Sequence, residues 1–162
     1  MRSATRAANV GGSVGDDARL ERLFRTEYRP MVGLAYTLIG DNARAEEIVQ
    51  DGFVDVIRAG DGVRRPGAYL RTAVVNRCRS ELRRRRVRAI PQPEPRAALS
   101  PGTDELWDVL GKLPEEQRIA VVLTYHGRFR SSEIAKMLDI PASTVRYHRR
   151  EGLAALREEL ES

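Results

Sequence analysis

The sequence holds one cysteine and two histidines in 162 residues, and these shortages exclude several chemistries. Cys78 alone permits no internal disulfide and no Cys-based zinc site, since both need paired ligands. It reads instead as a small packed core residue. With His126 and His148 the only histidines and no paired Cys/His spacing, no metal centre is expected. Long apolar runs are missing as well. Ala73-Val74-Val75, the longest near the middle of the chain, falls far short of the roughly 20 residues of a bilayer crossing. Met1 to Asp17 lacks the apolar core of a signal peptide, so the expectation is a cytoplasmic chain without membrane insertion. The sequence has no β-type alternation, internal repeat, Gly-rich phosphate loop or histidine pair. No acid cluster stands beside a basic pocket. Catalytic residues and cofactors are therefore not expected.

Lysine is nearly absent too. Lys112 and Lys136 are the only two, so 28 basic residues minus 2 leaves 26 arginines. The formal charge is +5 and the isoelectric point about 9.9. A guanidinium fork pairs with phosphate and carboxylate alike, so an arginine-rich basic chain points to partners of that chemistry. The charge is also polarised. Asp41, Glu46, Glu47, Asp51 and Asp55 face a single Arg44 between residues 41 and 55, whereas residues 77–88 hold seven arginines and one acid, Glu81. One surface should repel DNA and another attract it. At 41% hydrophobic and 31% charged, the composition fits a globular chain with much surface, of one ordinary domain or two small ones. Small helical domains of about 60 to 70 residues are marginal alone, so partner contacts would matter for stability.

Along the chain, residues 1–15 show no periodicity and read as a flexible tail. From Asp16, the apolar residues Leu20, Phe24, Tyr28, Met31, Ala35 and Leu38 recur at helical spacing. Gly40 ends that helix, and Asp41 or Asn42 caps a second with the stripe Ala45, Val49, Phe53 and Val56. Gly60-Asp61-Gly62 is the next break. Pro66 suits the first turn of a third helix, with Leu70, Val74, Cys78 and Leu82 inward and arginines outward. Pro91, Pro93, Pro95 and Pro101 then mark residues 89–102 as a linker. Short helices from Asp104 to Lys112 and from Pro114 to Tyr125 follow, then Ser131 to Leu138, a turn at Asp139-Ile140-Pro141 and a last helix from Ala142 to Leu160. The expected fold is all-α: two small helical domains, residues 16–88 and 103–162, joined by a Pro-rich linker.

Ser131 to Val145 has the spacing of a helix-turn-helix. Ile134, Leu138, Ile140 and Val145 would fill the core between two crossing helices, with small Ala135 at their closest approach. Asp139 takes the turn position where glycine is common, which asks for a left-handed backbone. The second helix of such a motif enters the major groove, so Ser143, Thr144, Arg146, Tyr147 and Arg150 form the base- and phosphate-facing set. A helical hairpin with a solvated basic face is the plainer alternative.

From about Ala18 to Leu160 the chain resembles the extracytoplasmic-function sigma factors of the sigma-70 family. Phe24 to Tyr28, Ala35 to Asp41 and Ala45 to Phe53 are similar to regions 2.1 and 2.2. Pro66 to Arg79 with the arginine run looks like regions 2.3 and 2.4. Leu113 to Leu123, Glu133-Ile-Ala135 and Thr144-Val-Arg146 look like region 4. The resemblance implies a subunit that directs core RNA polymerase, through its beta and beta-prime subunits, to promoter DNA and assists melting. It assigns core binding to Glu47, Ile48, Gln50 and Asp51. It assigns the minus 10 element to Asn76, Arg79 and Ser80, with Arg83 to Arg86 (Arg83 and Arg84 foremost) on phosphates and the Ala59 to Arg65 loop receiving an unstacked base. Arg130 joins the minus 35 set of the recognition helix. An anti-sigma factor is a further implied partner, for which no motif here speaks. The chain departs from the family pattern at Tyr147, Arg149, Glu151 and Gly152, and Gly152 is expected to interrupt the last helix at a cost of about 1 kcal/mol relative to alanine.

Two other functions are open to these residues. A LuxR-type regulator would use the same helix-turn-helix on duplex DNA without polymerase, although its receiver domain would need strands and a phosphoacceptor. A nuclease would need the acid and histidine clusters that are missing.

Overall fold

The computed structural model describes residues 14–88 and 103–162. The linker expected over 89–102 lies outside the described residues, as does all of the expected tail except Val14 and Gly15. Among the described residues there are no strands and seven α-helices: α1 (Val14–Ile39), α2 (Asn42–Ala59), α3 (Pro66–Val87), α4 (Thr103–Lys112), α5 (Glu115–Tyr125), α6 (Ser131–Leu138) and α7 (Ala142–Glu161). None of them is long and apolar enough to cross a membrane.

Helices α1 to α3 form one bundle. The inward stripe of α1 is continuous only from Met31, through Leu34, Ala35, Leu38 and Ile39. Phe24, expected on that stripe, is half exposed and stacks on Tyr28 with ring centroids 4.6 Å apart. Pro30 lies within α1 without ending it. Gly40 then turns the chain at φ +70°, a left-handed conformation that costs glycine little. The Asp41 carboxylate accepts the backbone N–H of Arg44 at 3.1 Å, closing the first turn of α2. Ala45, Ile48, Val49, Phe53 and Val56 are the buried face of α2. A 3₁₀ turn at Gly60–Gly62 leads to Pro66 at the start of α3, which buries Leu70, Val74, Val75, Cys78 and Leu82.

In the second group α5 is the central helix, with Ile119 to Leu123 buried and α7 laid across it. Helix α7 runs unbroken through Gly152, contrary to the expected interruption. Gly152 is buried where α7 crosses α5: a Cβ there would stand 2.7 Å from Val121 Cγ2 and 3.2 Å from the Gln117 carbonyl. Close approach, not helix breaking, explains the glycine.

The two groups also pack on each other, α5 against α1 and α6 against α3. Two buried arginines lie near that junction, Arg85 bonded within the first group and Arg118 bonded across it. Arg85, placed by sequence on phosphates, is buried; it donates to the Ile39 carbonyl at 2.6 Å and pairs with Glu81. Arg118 is buried as well, donating to the carbonyls of Leu38, Gly111 and Leu113 at 3.4, 3.0 and 3.3 Å. Burial lowers its pKa and nearby Glu115 opposes that shift. A guanidinium stays charged even so, and it lies against the carbonyl end of α1, where the helix dipole favours a cation.

Candidate protein-binding and nucleic-acid interfaces

On α2 the outer face carries Glu46, Glu47, Gln50, Asp51, Val54 and Ile57, all exposed. Glu47 pairs with Arg44 at 2.8 Å, a contact that, with Glu81, raises the Arg44 pKa against its desolvation. Asp51 stands 3.7 Å from Arg77, and Asp55 takes Arg77 in a bidentate pair at 2.8 to 3.0 Å. Arg77 thereby ties α3 to α2 and leaves Glu47, Gln50 and Asp51 facing solvent. Ile48 does not join them. It is 1% exposed and sits in the core, because its position on the helix turns it toward α1 and α3. The apolar part of this face is instead Val54 and Ile57. Sequence reading missed these two. Val54 and Ile57 could have been found, since 47, 50, 54 and 57 recur at three and four along one helix side.

The minus 10 set assigned by resemblance separates onto two sides of α3. Asn76 and Ser80 line an open groove of about 670 Å³ with Val63, Arg65, Tyr69 and Thr72. Tyr69 is 42% exposed in it, an aromatic face of the kind on which an unstacked base can lie. Its place was legible, because 69, 72, 76 and 80 share one face. Arg79 turns away. Its Nη1 lies 3.5 Å from Asn76 Oδ1 and 3.4 Å from the Leu138 carbonyl, where it approaches the second helical group. Arg83 lines the same side. Arg84 is paired with Glu81 and part exposed.

The helix-turn-helix folds as its spacing predicts. Ile134, Leu138 and Val145 are buried, Ile140 partly so. Asp139 adopts φ 54°, ψ 49° at the end of α6, and Glu133 accepts the backbone N–H of Arg130 at 3.2 Å at its start. Ser143, Arg146, Tyr147 and Arg150 are exposed along α7, with Arg130 exposed before α6. Thr144 and His148 point elsewhere, into a cleft shared with α3. Arg149, one of the departures from the family pattern, is half-buried and reaches Ser131 Oγ at 3.5 Å, so its stem packs while its head stays polar.

Comparison with known proteins gives the same two units. Residues 23–88 match Sigma-70 region 2 and residues 103–156 match Sigma-70, region 4. An RNA polymerase sigma-E factor of Streptomyces avermitilis is 30% identical over 158 residues, covering 91% of this chain and 88% of the relative. One from Streptomyces antibioticus is 27% identical over the same spans. Among solved structures, the sigma factor RpoE in complex with the anti-sigma factor NepR from Bartonella quintana shares the fold, with a TM-score of 0.74 at 19% identity over 88% of this chain and 97% of that one. Two family regions in the order of the two helical groups, with a relative matched over most of its length, do not favour a LuxR-type regulator; the chain belongs to the sigma-70 family, as an extracytoplasmic-function sigma factor that directs core RNA polymerase to promoters.

Proposed function

We propose a division of labour between the two helical groups. Residues 16–88 bind core polymerase through Glu47, Gln50, Asp51 and the apolar Val54 and Ile57 of α2. They also take the non-template strand of the minus 10 element along α3. Residues 103–162 read the minus 35 duplex with Ser143, Arg146, Tyr147 and Arg150, helped by Thr144 and Arg130. Residues 89–102 link the two. The observation that carries this reading is the open α3 groove, in which Asn76, Ser80, Arg65 and Tyr69 combine polar, cationic and aromatic groups. Unstacking a base costs a few kcal/mol, and a pocket that holds the extruded base offsets it. Exposed arginines farther along α3, Arg83 and Arg84 among them, contribute affinity without sequence choice.

The role asks for positioning and electrostatics and no bond chemistry from the chain itself, and it places the protein in the cytoplasm with its polymerase. An anti-sigma factor is a further partner, as NepR is for the Bartonella sigma factor. Run-off transcription with added core polymerase tests the assignment. The wild-type chain should yield promoter-dependent transcripts. Asn76→Ala should keep polymerase association and lose open-complex formation by about tenfold or more, the order expected from about 1.4 kcal/mol per decade. Equal open-complex formation by the variant would contradict the groove's role.

A further inference from the structure

Asp55 and Arg77 line the α3 groove beside Tyr69, Thr72, Asn76 and Ser80. We propose that Asp55 is a specificity-determining residue for promoter capture: by holding the Arg77 guanidinium against α2, it keeps that cation off the strand's phosphates and leaves the groove to groups that read bases. The inference rests on the reading that this groove takes the minus 10 strand.

The geometry at Arg77 singles it out. Its Nε donates to one Asp55 oxygen at 3.0 Å, and its Nη2 lies 2.9 and 2.8 Å from the two oxygens. Its Nη1 faces Asp51 at 3.7 Å. Every nitrogen of the fork is thus turned to an α2 carboxylate, although the side chain is 39% exposed and within reach of a strand in the groove. Released, a guanidinium there would take a phosphate, which its planar fork fits as well as a carboxylate. Such a contact adds affinity and no sequence information. That kind of attraction is already ample, because residues 77–88 hold seven arginines. With Arg77 neutralised, Arg65 supplies the groove's cation. The groups beside it are the Asn76 amide, the Thr72 and Ser80 hydroxyls and the Tyr69 ring, which can hydrogen-bond to base edges or stack. Suppressing an attraction common to every sequence raises the ratio between right and wrong strands, which is what specificity measures.

A plain tie between helices is the simpler role for this pair, and another pair in the same bundle separates the two roles. Arg71 of α3 holds Glu27 of α1 at 2.7 and 3.5 Å, the same kind of two-point link. Neither of these residues lines the groove. Loosening α3 through Glu27 should cost stability alone, whereas releasing Arg77 through Asp55 should change how the strand is bound.

The test uses the full-length chain assembled with core polymerase. Single-stranded oligonucleotides of random sequence, with the bound fraction sequenced, report preference; oligothymidylate reports the salt dependence. Wild type should enrich a motif that Asn76→Ala weakens. Asp55→Asn and Asp55→Ala should each bind oligothymidylate more tightly and enrich the motif less, with helical circular dichroism unchanged. Their log–log salt slope should steepen by about 0.7, the value for one added phosphate contact on a single strand. Asp55→Glu, which keeps the charge, should restore wild-type preference, and Asp55→Asn with Arg77→Gln should return the slope to its wild-type value. Glu27→Gln should lower the melting temperature with slope and motif unchanged. Unchanged slope and motif in a folded Asp55 variant, or an equal change in Glu27→Gln, overturns the role of Asp55, while a wild-type motif weakened by Asn76→Ala upholds the groove reading beneath it. A wild type that enriches no motif and matches Asn76→Ala overturns the groove reading, and the role of Asp55 with it.

Discussion

Single residues decide the tightest packing in this chain, and Gly152 gives the sharpest case. Helix propensity alone would make Gly152→Ala stabilising by about 1 kcal/mol. The 2.7 Å approach to Val121 reverses the sign, because an added methyl in a filled crossing costs about 1 to 3 kcal/mol. Urea unfolding of the variant should show a lower midpoint with an unchanged slope. Cys78 is equally constrained: burial pushes its thiol up to about 12, with Glu81 adding to the shift and Arg44 and Arg85 opposing it. Only the thiolate reacts readily. Iodoacetamide at pH 7.5 should leave the native protein unlabelled and modify it fully in denaturant. At this scale the sequence was a partial guide. Cys78 was legible as core, but Ile48 was assigned to a surface it does not reach, because a resemblance aligns positions without saying which way each side chain turns. Arg85 misled for a related reason. It stands in a run of arginines, and only the Ile39 carbonyl and Glu81 around it make its burial tolerable.

At the scale of elements the sequence was nearly sufficient. Gly40, Asp41, Pro66 and Asp139 act through local backbone chemistry, so the ends of α1, α2, α3 and α6 could be placed from neighbouring residues alone. The helix-turn-helix followed from four core spacings. What escaped was the mixed character of the α2 surface, since Val54 and Ile57 were not read beside the acids that precede them. These two side chains give the face an apolar centre beside its acidic side, the pattern of a protein-binding patch. Val54→Asp with Ile57→Asp should weaken association with core polymerase about tenfold or more and leave thermal unfolding within about 0.5 kcal/mol, as exposed substitutions do. For α3 the matching expectation concerns salt. Binding of single-stranded DNA should fall linearly on a log–log plot, and Arg83→Ala should reduce the slope by about 0.7.

Across the whole molecule the packing of one helical group on the other could not be read from the sequence. It depends on Arg118, Arg79 and Trp107, residues that look like ordinary surface arginines and a core aromatic until their partners are in place. The same junction carries a pH dependence. His126, just past the end of α5, keeps one side in solvent but approaches Gly33 of α1, and this partial burial moves its imidazole below the ordinary value of 6.5. The packed form therefore favours neutral imidazole. Its contribution is intact above pH 6.5 and is lost as the pH falls through the depressed value, since protonation then favours any form with His126 in water. Because one side of the ring stays in solvent, the effect is small: melting temperature should fall slightly between pH 7.5 and 5.5, and His126→Gln should flatten that fall.

The proposed function turns on two surfaces of opposite charge on one small bundle, α2 proposed for polymerase and α3 for a melted strand. Pull-down of core RNA polymerase at low ionic strength by the wild type and by Glu47→Arg with Asp51→Arg tests it most directly. Wild-type protein should retain polymerase, while the double variant should lose it and bind single-stranded DNA as tightly or more so. A wild type that retains no polymerase, or a variant that retains it equally, would contradict the account.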